Sequence, residues 1–215
     1  MNTTRSDRLR TQSAERREKQ KLELRTRILE AAETLFLEHG YSGFSLRQVA
    51  EQIGYSPTTV YLYFENKEDL LFAVLLEGFE QFGELMQNAY QTSDDPLKKI
   101  MAMGRAYITF GVAHPAHYRL MFMERGDFLL RENPTDQRST LDSFQFLVRA
   151  VHEAHAAKLL RPGEPMEHVY SLWAGVHGLT ALFISMPIPN PPDIETQTDH
   201  LLNVLYQGFA LPSNN

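Results

Sequence analysis

Apolar side chains recur at helical spacing through most of this chain and nowhere alternate with polar ones over a strand's length. Leu24, Ile28, Ala31, Ala32, Leu35 and Phe36 fall on one stripe, and His39 followed by Gly40 supplies a last-turn side chain and a left-handed cap. Ser45 to Gln48 reads as a capping box with Leu46, Val49, Ala50 and Ile53 behind it, so a second, short helix ends at Gly54. Ser56 then caps a third helix with Pro57 at its first position, where a missing N–H costs nothing, and Val60 and Phe64 face inward. Asn66 caps a fourth, which runs from Lys67 to about Asn88.

Beyond Asp95-Pro96, the set Leu97, Ile100, Met101, Gly104, Tyr107, Ile108 and Val112 predicts a helix that ends near His114-Pro115. Another passes through Tyr118 and Met121, and Glu124 to Asn133 reads as a loop. A helix over Leu141 to Leu160 carries Phe144, Leu147, Val148 and Val151. Pro165 to Ser185 is apolar almost all round, the mark of a helix buried on several sides. Four prolines make Pro187 to Pro192 a connector, after which Leu201, Leu202, Val204, Leu205 and Phe209 give a last amphipathic helix. The expectation is an all-α protein of about nine helices, with a basic flexible arm over residues 1–21, one domain over 22–82 and a second over 83–215.

Charge changes the picture because it is unevenly placed. Residues 1–27 hold nine Lys or Arg against four acids, a net +5, so the remainder carries −11 of a total of −6. One end of the chain is suited to a polyanion while the rest stays soluble and repels it. The absence of cysteine excludes disulfides, thiolate zinc sites and cysteine nucleophiles. The stretch Trp173 to Met186 is interrupted by His177 and too short for a membrane span, and the polar start is neither signal peptide nor anchor, so a cytoplasmic protein without a membrane partner is expected.

A helix, a tight glycine turn and a second short helix, here about residues 45–64, is the geometry that lays one helix in the major groove of double-stranded DNA. Ser45 stands at a helix N-terminus that favours a phosphate, and Arg47 can reach a phosphate or a guanine edge. Thr58 and Thr59, behind Ser56, are short side chains suited to base edges or a thymine methyl. Tyr61 and Tyr63 can donate hydroxyls to phosphates, and Lys67 offers the backbone a point charge; Tyr63 can instead pack inside the corner. The strings Val49-Ala50 through Gly54, Ser56 to Phe64 and Asn66 to Leu70, with Arg27 to Ala32, Leu35-Phe36 and Gly40-Tyr41, closely resemble the signature of TetR-type regulators. The resemblance implies a dimer on an inverted-repeat operator, with DNA contacts at the positions of Arg47, Thr58, Thr59, Tyr61, Tyr63 and Lys67. The family often has Thr where this chain has Leu46, and Ser45 can substitute for that phosphate contact.

Trp173 to Gly178 and His114 to Phe122 resemble a C-terminal domain type of the same family named for a Trp-His-Gly motif. That resemblance implies a ligand-binding and dimerisation domain in which Pro165–Ser185 and Leu201–Phe209 pair with their copies. Ala174, Gly178 and Ala181, with Leu201 and Leu205, are the candidate homodimer face. Tyr107, Phe110, Tyr118, Phe122, Phe144 and Trp173 are candidates to line an apolar pocket, with His114 or His177 as polar anchors, although aromatic stripes also fill cores. The pairs His114/His117 and His152/His155 lack the further ligands that a metal needs, and His152-Glu153-Ala154-His155 is one residue short of the metalloprotease helix. No phosphate loop or nucleophile elbow is present, so neither cofactor, metal nor catalysis is expected. The reading is a repressor released by a mainly apolar small-molecule effector, with an activator or ligand-independent regulator as the alternative.

Overall fold

The computed structural model describes residues 5–124, 136–186 and 193–211, with side chains from 11 to 124 and from 143 onward within those ranges. The described residues form nine helices: α1 (Arg5–His39), α2 (Leu46–Ile53), α3 (Pro57–Tyr61), α4 (Lys67–Tyr90), α5 (Pro96–Ala113), α6 (Pro115–Phe122), α7 (Asp136–Ala156), α8 (Pro165–Ser185) and α9 (Ile194–Phe209). The expected connector over Pro187–Pro192 and most of the expected loop over Glu124–Asn133 lie outside the described residues.

Two compact units divide between Val74 and Leu75, rather than after residue 82. The reason is Phe82, whose ring stands 5.5 Å from Tyr107 and 5.2 Å from Phe110, within the second core. In the first unit Ile28, Ala32, Phe36, Val49, Ala50 and Val60 are fully buried, as the helical stripes require. The second unit is built on α5, whose Ile100, Met103, Ile108 and Phe110 join Val151, Ala154, Val169 and Val176 in one cluster. The continuous helix α4 contributes to both units.

Three elements depart from the expectation. The segment expected as a flexible arm is helical from Arg5, because residues 5–21 contain no Gly or Pro and consist largely of strong helix formers such as Arg, Leu, Gln, Ala, Glu and Lys. Helix α7 stops at Ala156, four residues short of Leu160, as Lys158 turns into the left-handed region at φ 56°. Leu160 instead makes an antiparallel bridge with Ala210, flanked by Arg161 N–H to Phe209 O and Leu211 N–H to Leu159 O, each 2.8 Å. Helix α8 is not buried all round: Val169, Leu172, Val176 and Thr180 face the core, whereas Tyr170 and Leu182 are 56% and 47% exposed.

Candidate nucleic-acid interface and apolar cavity

The corner formed by α2 and α3 is held by its caps. Ser45 Oγ accepts from Gln48 N–H at 3.5 Å and donates to Gln48 Oε1 at 2.9 Å, so the box closes side chain to side chain. Gly54, at φ 74°, turns the chain where a side chain would be strained, and its N–H reaches Ala50 and Glu51 carbonyls. Arg27 Nη2 donates to Ile53 O at 2.8 Å and satisfies an end carbonyl of α2. At α3, Ser56 Oγ accepts from Thr59 N–H at 3.2 Å and lies 2.8 Å from Thr59 Oγ1. Asn66 Oδ1 accepts from Asp69 N–H at 2.8 Å and starts α4 as expected.

Ser45, Arg47, Ser56, Thr58 and Tyr61 are exposed, so these expected DNA-binding side chains end in solvent. Thr59 is half-buried with its hydroxyl 2.8 Å from Ser56 Oγ, whereas Thr58 is exposed. Lys67 has partners within its own unit. Its Nζ donates to Tyr41 O at 2.7 Å and stands 4.4 Å and 5.5 Å from the ring centres of Tyr41 and Phe44. A charged hydrogen bond together with a cation–π contact gives it a structural role. Lys67→Ala should therefore lower stability by about 2 kcal/mol in denaturant unfolding. A variant of unchanged stability that binds all DNA sequences more weakly would return Lys67 to the interface.

Sequence reasoning passed over Leu62, which is 81% exposed, and Tyr55, 41% exposed beneath the Arg27 guanidinium. The signal for Leu62 was present: Val60 and Phe64, four apart, both face inward, which turns the residue midway between them outward.

In the second unit a cavity of about 400 Å³ opens among aromatic and methionine side chains. Of the expected lining, Tyr107, Phe122, Phe144 and Trp173 stand on its wall; Phe79, Phe82, Met86, Met121, Leu147, Ser143 and Tyr170 join them. Phe110 and Tyr118 are not on the wall, because at 1% and 0% exposure they fill the core behind it. His114 lies against Phe110, rings 5.2 Å apart, rather than at the cavity. His177 does not line it either: Nδ1 lies 2.6 Å from Tyr118 Oη and 3.1 Å from Tyr107 Oη, and Trp173 Nε1–H donates to Tyr107 Oη at 3.3 Å. Burial lowers the His177 pKa and pushes Tyr118 up to about 12, so this chain of groups is uncharged near neutral pH. It holds the rear of Tyr107 and Trp173 rather than presenting a free anchor.

Of the candidate dimer face, Ala174 is exposed, Ala181 half-buried, and a side chain on Gly178 would meet nothing within 4 Å. Leu201 and Leu205 are half-buried in their own chain, and Leu205 Cδ1 lies 3.0 Å from the place of a Gly175 Cβ. Val204, 51% exposed, is the outward apolar residue of α9 instead. His117 is 3% exposed and its pKa falls to about 4, chiefly through burial and then through His114, so it is neutral at pH 7. Among the described residues no three His, Cys, Asp or Glu gather as metal ligands, and no helix is long and apolar enough to cross a membrane.

Comparison with known proteins places both halves. Residues 28–74 match the family described as bacterial regulatory proteins, tetR family, and residues 100–205 match the tetracyclin repressor-like C-terminal domain. An HTH-type transcriptional regulator of Mycobacterium tuberculosis is 26% identical over 102 residues, 46% of this chain and 44% of that protein. The fatty acid metabolism regulator protein of Bacillus subtilis is 39% identical over 69 residues, 32% of this chain and 36% of its own length. These alignments thus reach less than half of either relative. A bacterial regulatory protein of the tetR family from Rhodococcus superposes with a TM-score of 0.71 at 19% identity, covering 88% of this chain and 98% of that one, a likeness of fold.

Proposed function

We propose that this chain, which belongs to the tetR family of bacterial regulatory proteins, is a DNA-binding transcriptional regulator that binds an inverted-repeat operator as a homodimer and is released by a mainly apolar small molecule. The observation that carries the reading is the solvent-facing set Arg47, Thr58 and Tyr61 on a capped two-helix corner, in a unit that also holds the chain's positive end. A recognition helix of this kind enters the major groove from one end, and a two-fold dimer presents two of them, so each half-site mirrors the other. The outward Tyr170, Leu182 and Val204, with Ala174 and Gly178, support α8 and α9 as the dimer face. The cavity, with few polar groups on its wall, supports an apolar effector. Helix α4, which belongs to both units, is the element through which effector and DNA would influence each other.

Binding to a duplex should weaken steeply as salt rises, since log affinity falls by about 0.9 for each phosphate neutralised against log salt. Affinity of the full chain for duplex DNA, measured from about 50 to 200 mM salt, tests this. A nearly flat dependence would remove DNA as the partner. Transcription from a promoter carrying the operator then separates repressor from activator.

A further inference from the structure

We infer that the aromatic cavity of the second unit has an inner subsite, reached past Met86 and Leu147, that takes the end of an unbranched hydrocarbon chain. The inference rests on the effector reading and narrows it from apolar compounds in general to single-chain ones.

A second cavity of about 40 Å³ lies in the core of this unit, with Ile100, Met103, Gly104, Leu172, Val176 and Leu205 among its lining. Met86, Tyr107, Leu147 and Trp173 line both this space and the aromatic cavity, so the two share a wall. A volume of about 40 Å³ holds roughly three water-sized groups, but the lining is aliphatic apart from Tyr107 and Trp173. Water needs two or more polar partners, so the space is poorly suited to it. Hydrocarbon supplies the contacts that the lining lacks.

The shared wall is of two kinds. Trp173 Nε1–H donates to Tyr107 Oη at 3.3 Å, and Tyr107 Oη lies 3.1 Å from His177 Nδ1. Phe144 stands edge-on to the Trp173 ring at 5.7 Å. These contacts pin both aromatic rings. Met86 and Leu147 are held by packing, and an unbranched Met side chain repacks readily. A slot that opens by moving Met86 and Leu147 past fixed rings admits a chain one methylene wide and stops a cage or fused-ring compound.

Direction follows from α4. Phe79 and Ser143 line both the aromatic cavity and an open hollow of about 360 Å³ that holds Glu80, Glu84, Gln87 and Arg149. Phe79 and Met86 are seven residues apart on that helix, about 10 Å along its axis. A single-chain amphiphile therefore lies along α4 with its polar head beside Phe79 and its chain end beyond Met86. Val176 and Leu205, which line the inner space but not the aromatic cavity, then limit the length of chain accepted.

The test is a series of straight-chain alcohols from hexanol to tetradecanol, with the cage alcohol adamantanol as a rigid reference, titrated into the full chain. Trp173 is the chain's single tryptophan and stands on the shared wall, so its fluorescence reports binding. Affinity should rise about fourfold per methylene up to a limiting length and then level off. Val176→Ile adds a methylene to the inner space and should weaken the longest chain that wild type accepts about fourfold, shortening the limit by about one carbon. Leu205→Ala enlarges the space and should lengthen the limit by about two carbons. Adamantanol, confined to the aromatic cavity, should bind both variants as it binds wild type, and circular dichroism verifies that they fold. An unchanged limit in either folded variant would overturn the inner subsite and leave the effector cavity intact. A change in adamantanol affinity equal to that of the chains would also overturn it, since the substitutions would then act on the aromatic cavity itself. Binding of neither the alcohols nor adamantanol would end the effector reading and the subsite with it.

Discussion

Filling the aromatic cavity with an apolar compound should weaken operator binding by roughly 5- to 150-fold, the range of typical coupling free energies of 1 to 3 kcal/mol. The cavity of about 400 Å³ suits a small molecule, and Phe79, Phe82 and Met86 on its wall belong to the same helix, α4, that begins in the first unit. Occupancy can be established independently of DNA, because a compound at one hundred times its dissociation constant stabilises the folded state by about 2.7 kcal/mol and raises the melting temperature. Reciprocity then requires operator DNA to weaken the compound by the same factor. A compound with equal affinity for both states of the protein shifts nothing however tightly it binds. Compounds that raise the melting temperature through the cavity yet leave operator affinity unchanged would show that the cavity does not regulate, while DNA binding stands.

A large loss of stability is expected at Gly111, on α5. A Cβ there would lie 2.2 Å from Thr180 Cγ2 and 2.8 Å from Tyr118 Cδ2. Both neighbours are wholly buried, so neither can swing into solvent. Tyr118 is further pinned by its 2.6 Å hydrogen bond to His177 Nδ1. Gly111→Ala should therefore cost about 3 kcal/mol, at the upper end of overpacking, even though Ala is the better helix former. Thr180→Ser removes the nearer obstacle and keeps the hydroxyl that donates to Val176 O at 2.8 Å, so the double variant should recover part of the loss. Urea midpoints of the two variants and wild type decide it, and an unchanged midpoint for Gly111→Ala would mean that α5 and α8 do not approach as described.

Much of this was legible in the sequence, where strong local signals agreed. Ser45, Gly54, Ser56-Pro57 and Asn66 place the ends of α2, α3 and α4 because capping chemistry is local. The interior of α1 was legible from Leu24 onward for a different reason, its apolar stripe. Before Leu24 that stripe is missing, so periodicity saw an arm where helix propensity alone continues the helix to Arg5. Tertiary facts were less accessible. Lys67 looks like any exposed cation at a helix start, and only the fold brings Tyr41 O and two rings to it. For the cavity, composition identified an aromatic set but not its depth. Tyr107 and Trp173 reach the wall, whereas Phe110 and Tyr118, with similar side chains on α5 and α6, fill the core behind. The same holds for α9, where Leu205 packs in its own chain and Val204 points outward, a distinction of one residue in phase.

The central claim is that a dimer of this chain reads DNA through α2 and α3. Selection of bound duplexes from a random pool, followed by the stoichiometry on the enriched sequence, tests it most directly. The account predicts enrichment of an inverted repeat whose half-sites are about one helical turn apart, or a multiple of it, with two or a multiple of two chains bound. Thr58→Ala should relax the preference at a base pair within each half-site by about 1 to 3 kcal/mol. A pool that enriches no sequence, or a single asymmetric site occupied by one chain, would contradict it.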